Sequence, residues 1–199
     1  MKKALLLVSI LFISVISTAC INNFAVQELN NKAKSFMDKG DYANAIERLK
    51  SSIDLDGSVF ETRYNLAVAY TKAEDYSNAV DAYNEAIKLN PDFADAYYSL
   101  AVCEENLAKD IISGLVKVNE DGSVSKIEKS EDDKELVDLS DSDKNMVATL
   151  LGNSISDYKI YLDKAANPQD KEDVESKIQV LETMKDKYGT ADTKSVEQD

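Results

Sequence analysis

The sequence predicts an all-α protein, a short solenoid of stacked helical hairpins. Residues 41–46 (DYANAI) return 34 positions later as residues 75–80 (DYSNAV). A second pair of similar segments has the same offset: residues 53–56 (IDLD) resemble residues 87–90 (IKLN). Two prolines and six glycines in 199 residues leave long stretches free to be helical. A fixed period of this length is typical of arrays built from helix pairs.

The first two repeats each hold two amphipathic helices, because their apolar residues recur at helical spacing. Repeat one begins at Val26, and repeat two ends at Asn90-Pro91, where the proline disfavours helical geometry in the residue before it. The apolar positions of repeat one are Leu29, Ala33, Phe36, Tyr42, Ala45, Ile46, Leu49 and Ile53. Those of repeat two are Tyr64, Leu66, Ala67, Tyr70, Tyr76, Ala79, Val80, Tyr83, Ala86 and Ile87.

Repeat two resembles the tetratricopeptide repeat, a helix pair with alanines where the helices touch, aromatic residues around them and a closing proline. The matching residues are Leu66, Ala67, Tyr70, Ala79, Tyr83, Ala86 and Pro91. Repeat one departs from the pattern at Ser52 and Gly57, where the family has alanine and proline, and Arg63 replaces a large apolar residue in repeat two. The resemblance implies about three repeats, because each hairpin exposes an apolar edge that the next must cover.

The third repeat is predicted to be split by an insertion at residues 109–145. Its first helix completes the continuous repeat region, residues 26–108. Alternating apolar residues around the Gly-containing turn at 119–122 then predict a short β-hairpin, and residues 130–143 form an acidic loop. The alternating residues are Val116, Val118, Val124 and Ile127. Helical pattern resumes in residues 146–188, and Ser154 stands where the repeat phase places position 113, a displacement of 41 residues.

A last helix is predicted to cap the stack. Asn167-Pro168 is suited to its first turn, and Gly189 is a plausible stop. Its apolar stripe consists of Val174, Ile178, Leu181 and Tyr188. A helix that is apolar on one side only is expected at the end of a repeat array. Residues 189–199 are predicted to be a disordered tail.

The first 19 residues are predicted to be a secretory signal. A basic start precedes an apolar run at residues 4–16, which is shorter than the roughly 20 residues of a membrane-spanning helix. Small residues then lead to Cys20, as in bacterial lipoprotein signals, whose cysteine becomes the lipidated N-terminus. Ser17 replaces the usual Leu, Val or Ile, so ordinary cleavage with unmodified Cys20, or an uncleaved anchor, stays open. Residues 20–25 are a short tether.

Composition excludes several classes of function. The net charge of −14 falls to −16 without residues 1–19, which argues against nucleic acid. The chain has no histidine and two cysteines, so neither Ser-His-Asp catalysis nor zinc is expected. Residues 141–145 imitate a calcium loop, but Met146 and Gly152 stand where glycine and glutamate are needed. We predict no catalytic residue, metal or cofactor, with a carboxylate-dependent enzyme as a remote alternative.

The resemblance implies a partner-binding groove lined by the first helix of each hairpin. The matching positions are Asn30, Lys34, Met37, Tyr64, Val68, Thr71, Lys72, Tyr98, Val102 and Glu105. Chaperone-binding relatives hold a peptide carboxylate with lysines, asparagines and an arginine. Asn65 matches one asparagine, but Asp95 and Ser99 stand where basic residues are needed, so that ligand is not expected. Alternatively, the split-repeat segments or the terminal helix cover these positions.

Together these features predict an exported protein, anchored through lipid on Cys20 to the extracytoplasmic side of a bacterial membrane. The predicted partner is a protein or peptide, and the predicted function is protein–protein interaction. The main alternative is a structural or assembly subunit of an envelope complex that uses both groove and insertion. The identity of the partner and of the membrane stays open.

Overall fold

A computed structural model describes residues 23–127, 138–166 and 168–189. Within these ranges the chain forms seven helices and two short strands. They are α1 (23–37), α2 (Tyr42–Leu55), α3 (Phe60–Lys72), α4 (Tyr76–Leu89), α5 (Ala94–Ile112), β1 (Val116–Val118), β2 (Val124–Lys126), α6 (Asp141–Lys164) and α7 (Lys171–Tyr188). The predicted all-α class is confirmed. The predicted signal, Cys20 and the tail beyond Gly189 lie outside the described residues.

The recurring hexapeptide marks the start of a helix. In the first copy, the Asp41 carboxylate accepts hydrogen bonds from the Asn44 backbone N–H, at 3.2 Å, and from the Asn44 side-chain amide, at 2.7 Å. Asp75 and Asn78 repeat both bonds at the start of α4. The aspartate therefore occupies the N-cap and satisfies an amide that the first helical turn leaves unpaired.

The chain divides into two compact units at Glu74. The first unit holds α1, α2 and α3, and its core is built on small residues that let helices approach closely. Ala33, Ala45, Leu49 and Ala67 are fully or almost fully buried there. The last three residues of the predicted tether at 20–25 are helical, so the prediction is wrong there, and these residues contain no proline or glycine to stop a helix.

The second unit holds α4 to α7 and the hairpin. Its core lies between α5, α6 and α7 and includes the apolar stripe predicted for the last helix. The buried members are Ala101, Leu107, Ala108, Ile111, Val116, Val147, Leu150, Leu151, Ile155, Tyr158, Tyr161, Val174, Ile178 and Leu181. Helix α6 packs along α5, as expected for the displaced second helix of the third repeat.

Helix α5 runs four residues beyond the predicted boundary at 108. Ile111 is fully buried, so the extra turn adds apolar contact to the core. The helix then ends at Ile112, and Gly114, two residues later, has a φ of +62°, which suits a residue without a side chain. The backbone N–H of Leu115 closes the turn by donating to the carbonyl oxygen of Asp110 at 2.8 Å.

The predicted β-hairpin is confirmed. Val116 pairs with Lys126 and Val118 with Val124 in an antiparallel register. Val116 is buried in the core of the second unit. The backbone N–H of Val118 donates to Asp143 Oδ1 of α6 at 3.1 Å, which ties the hairpin to that helix.

Two predicted helix starts are wrong. Helix α6 begins at Asp141, because Ser140 and Asp143 form a capping box in which each side chain accepts from the other's backbone N–H. The calcium-like residues 141–145 are therefore helical. Helix α7 begins at Lys171, three residues after Pro168, which lies in the preceding turn. No helix within the described ranges is long and apolar enough to cross a membrane.

Candidate partner-binding surface

The first unit contains a pocket that brings three predicted site residues together. Asn30, Lys34 and Met37 line it from α1, and Asn65 joins them from α3. The other lining residues are Asn31, Ala33, Asp38 and Leu49. Its volume is about 450 Å³, within the range of ligand pockets. Amide, ammonium and thioether groups thus converge at one place.

Asn30 fixes one wall of this pocket. Its side-chain amide nitrogen lies 3.0 Å from Ser52 Oγ and 2.9 Å from Thr62 Oγ1, and it also donates to the Val26 carbonyl oxygen at 2.9 Å. Its Oδ1 is buried and has no hydrogen-bond partner within the described residues. The departure from the repeat pattern at Ser52 therefore has a physical role, because an alanine there offers no acceptor to Asn30.

The predicted site residues of α3 lie in the same unit. The Tyr64 ring stacks on Phe60 with centroids 5.9 Å apart, and Val68 is half-buried. The Thr71 hydroxyl donates to the Ala67 carbonyl oxygen at 2.8 Å, so it is used within its own helix. Lys72 is exposed.

On α5, by contrast, the predicted site residues contact other helices of the second unit. The Tyr98 ring meets Tyr158 and Tyr161 of α6 edge-on, with centroids 5.5 and 5.1 Å apart. Val102 is half-buried and packs against the same core. Helix α6 therefore covers these positions of α5. The sequence analysis left this arrangement open as the alternative to an exposed groove.

Glu105 does not line an open surface, because it is only 7% exposed. It accepts hydrogen bonds from the Tyr158 hydroxyl at 3.2 Å and from Lys109 Nζ at 2.5 Å, and Lys177 Nζ lies 3.5 Å away. Burial alone raises the pKa of Glu105, but the Lys109 hydrogen bond and the charges of Lys177 and Lys109 outweigh it and lower this pKa. Glu105 is thus a satisfied anion inside the unit.

Comparison of the sequence with models of known protein families identifies the repeats, and the matched residues coincide with helices of the structure. Two models of the tetratricopeptide repeat match residues 60–93 and 82–111, which span α3, α4 and almost all of α5. Residues 60–111 of the chain therefore contain tetratricopeptide repeats. Among curated proteins, none matches the chain significantly.

Solved tetratricopeptide structures share this fold at low sequence identity. The second such domain of human RPAP3, in complex with the HSP70 peptide SGPTIEEVD, is 18% identical with a TM-score of 0.55, covering 79% of this chain and 98% of that one. The Arabidopsis OM64 domain is 12% identical with a TM-score of 0.55, covering 80% and 98%. The Yersinia enterocolitica secretion chaperone SycD, in complex with a YopD peptide, is 12% identical with a TM-score of 0.51, covering 82% and 93%.

Proposed function

We propose that this tetratricopeptide repeat protein is exported, is anchored through lipid on Cys20 and binds a protein or peptide partner at a bacterial envelope membrane. The pocket formed by Asn30, Lys34, Met37 and Asn65 supports the partner-binding part of the proposal. Two of the structures with this fold are complexes with peptides, which supports a partner of that kind.

The chemistry of the pocket suits an extended peptide. Asparagine amides both donate and accept, so Asn65 matches the alternating polar groups of a peptide backbone. Met37 offers flexible apolar contact, and Lys34 offers a positive charge to an acidic side chain.

A cross-linking experiment tests the pocket. A photoreactive residue replaces Lys34 in one variant and Lys32 in a matched control. Lys32 lies on the same helix, exposed and 2.6 Å from Glu28, and does not line the pocket. Irradiation of cell envelopes should give one defined partner adduct from position 34 and none from position 32. Equal adducts at both positions, or none at 34, contradict partner binding at this pocket.

The anchor has its own test. Cys20→Ser should move the protein from the membrane fraction to the soluble fraction, because acyl chains contribute about 0.8 kcal/mol per buried methylene. Cys103→Ser is the matched control, since Cys103 is fully buried and should leave the distribution unchanged. Retention of the Cys20→Ser protein on membranes that have been washed with salt means that lipid on Cys20 is not the anchor.

The hairpin favours a second candidate, an assembly subunit that binds through its insertion. Leu115 and Ile127 are exposed neighbours at the base of the hairpin, where the Ile127 N–H donates to the Leu115 carbonyl oxygen at 2.8 Å. Exposed apolar pairs of this kind occur at interaction surfaces. Photoreactive residues at 115 or 127 should then capture the partner while position 34 does not.

A further inference from the structure

The second unit has a pocket of its own, distinct from the pocket of the first unit. Its volume is about 500 Å³. The turn before α5 and the first turn of α5 contribute Asp92, Phe93 and Asp95, and the end of α6 contributes Tyr161 and Lys164. Aromatic and charged side chains therefore line one small space.

The aromatic part of this pocket is fixed by contacts within the unit. Tyr161 is buried, and its hydroxyl donates to Asp170 Oδ1 at 2.8 Å. Its ring meets the edge of the Tyr98 ring, with centroids 5.1 Å apart. Phe93 is half-buried beside the start of α5. Because Tyr161 is already held in one orientation, a ligand does not have to order it on binding.

The charge of the pocket is negative. Lys164 Nζ lies 3.1 Å from Asp92 Oδ1 and 5.8 Å from the centroid of the Tyr97 ring, so its charge is already used. Asp95 is exposed and has no hydrogen-bond or ion-pair partner among the described residues. Two carboxylates and one ammonium group among the lining residues leave a net charge of −1. This charge favours a cationic ligand.

We propose that this pocket binds an arginine side chain, with the guanidinium group paired to Asp95 and its plane against the rings of Tyr161 and Phe93. A guanidinium group is planar, so it can donate two hydrogen bonds to one carboxylate and lie on an aromatic ring at the same time. The ammonium group of lysine is more strongly hydrated and has no flat face. The arginine belongs to the protein or peptide partner, so this assignment rests on the proposed function to that extent.

NMR titration of the 15N-labelled full chain in nonionic detergent tests the pocket. The probe is an acetylated and amidated pentapeptide, Gly-Ser-Arg-Ser-Gly. It should shift the backbone resonances of residues 92–95 and 161–166 along a saturating curve. The same peptide with citrulline, which keeps the shape of arginine without its charge, should leave these resonances in place.

Three variants show whether the pocket or the overall charge attracts the peptide. Asp95→Asn should weaken binding about two- to fivefold, the range measured for exposed ion pairs. Lys164→Gln should tighten binding, because a repelling charge is lost and Asp92 becomes available. Asp186→Asn is the matched control, since it removes the same charge as Asp95→Asn from an exposed position near the end of α7 and should change nothing.

Several results would overturn this assignment. Equal weakening in Asp95→Asn and Asp186→Asn would mean that the peptide follows only the net charge of the chain. Weaker binding in Lys164→Gln, or saturating shifts with glutamate or citrulline in place of arginine, would contradict a cationic ligand. The titration contains no cell envelope, so a negative result here leaves the cross-linking test at position 34 unaffected.

Discussion

The hydroxyl of Ser154 donates a 2.8 Å hydrogen bond to the backbone carbonyl oxygen of Ala101, 53 positions earlier in the chain. Both residues are fully buried where α6 crosses α5. A helix pair can approach this closely only where side chains are small. Ser154 therefore has the packing role that the repeat phase assigns to a small residue near the start of a second helix.

Ser154→Leu should destabilise the second unit strongly, because a larger side chain at this crossing must displace a helix. Overpacking of this kind costs roughly 1–3 kcal/mol. Ser154→Ala keeps the size, loses only the hydrogen bond and should cost about 1 kcal/mol or less. Urea unfolding followed by circular dichroism at 222 nm measures both values. A larger loss for alanine than for leucine contradicts the close-packing explanation.

Asn30→Leu should destabilise the first unit by roughly 1–3 kcal/mol, because Ser52 and Thr62 lose the amide that bonds them. Asn31→Leu is the matched control, since Asn31 is exposed and one position along the same helix. Its effect should stay within about 0.5 kcal/mol. Thermal unfolding of the two variants at one pH compares them, and equal losses would argue against a structural network around Asn30.

Ser140→Ala should weaken the start of α6 by about 1 kcal/mol, because the N-cap side chain no longer accepts from the Asp143 N–H. Ser142→Ala lies two residues away, exposed in the first turn, and should be close to neutral. Hydrogen exchange at residues 141–146 reports the fraying directly. Faster exchange in Ser142→Ala than in Ser140→Ala is inconsistent with the capping box.

The free energy of unfolding of the second unit should fall as pH rises from 5 to 9. The pKa of Glu104 is raised in the folded state, so its contribution is present below the unfolded pKa and is lost toward the folded pKa. One proton limits the slope to about 1.4 kcal/mol per pH unit. Urea unfolding at each pH gives the slope, which Glu104→Gln should flatten. An unchanged slope in that variant assigns the pH dependence to other groups.

Periodicity predicted the repeats and the displaced helix because packing depends on residue size at fixed spacing. Ser154 was placed by counting from Ala79, and the structure brings it against α5 even though an insertion separates the two helices. Helix ends were less predictable. Residues 141–145 have both a calcium-like and a capping pattern, and only the reciprocal bonds of Ser140 and Asp143 show that they begin a helix.

The buried polar contacts of α5 could not be predicted from the sequence. With 37 acidic residues, nothing in the sequence marks Glu104 as one that becomes almost fully buried, because the register between α5 and α6 depends on the whole intervening segment. Glu105 was predicted at a groove from its position in the repeat. Glu105 is buried because Tyr158 of α6 and Lys177 of α7 contact it. Neither helix lies where the 34-residue period would place it.

The insertion also affects how the third repeat is assembled. Only residues 90–93 separate α4 from α5, whereas residues 113–140 separate α5 from α6. Closing the longer connection costs on the order of 1–2 kcal/mol more in chain entropy. During synthesis from the N-terminus, the side of α5 that packs on α6 stays uncovered until α6 has been made, so this repeat is completed late. A chaperone that protects newly synthesised chains would therefore meet α5 as its exposed substrate.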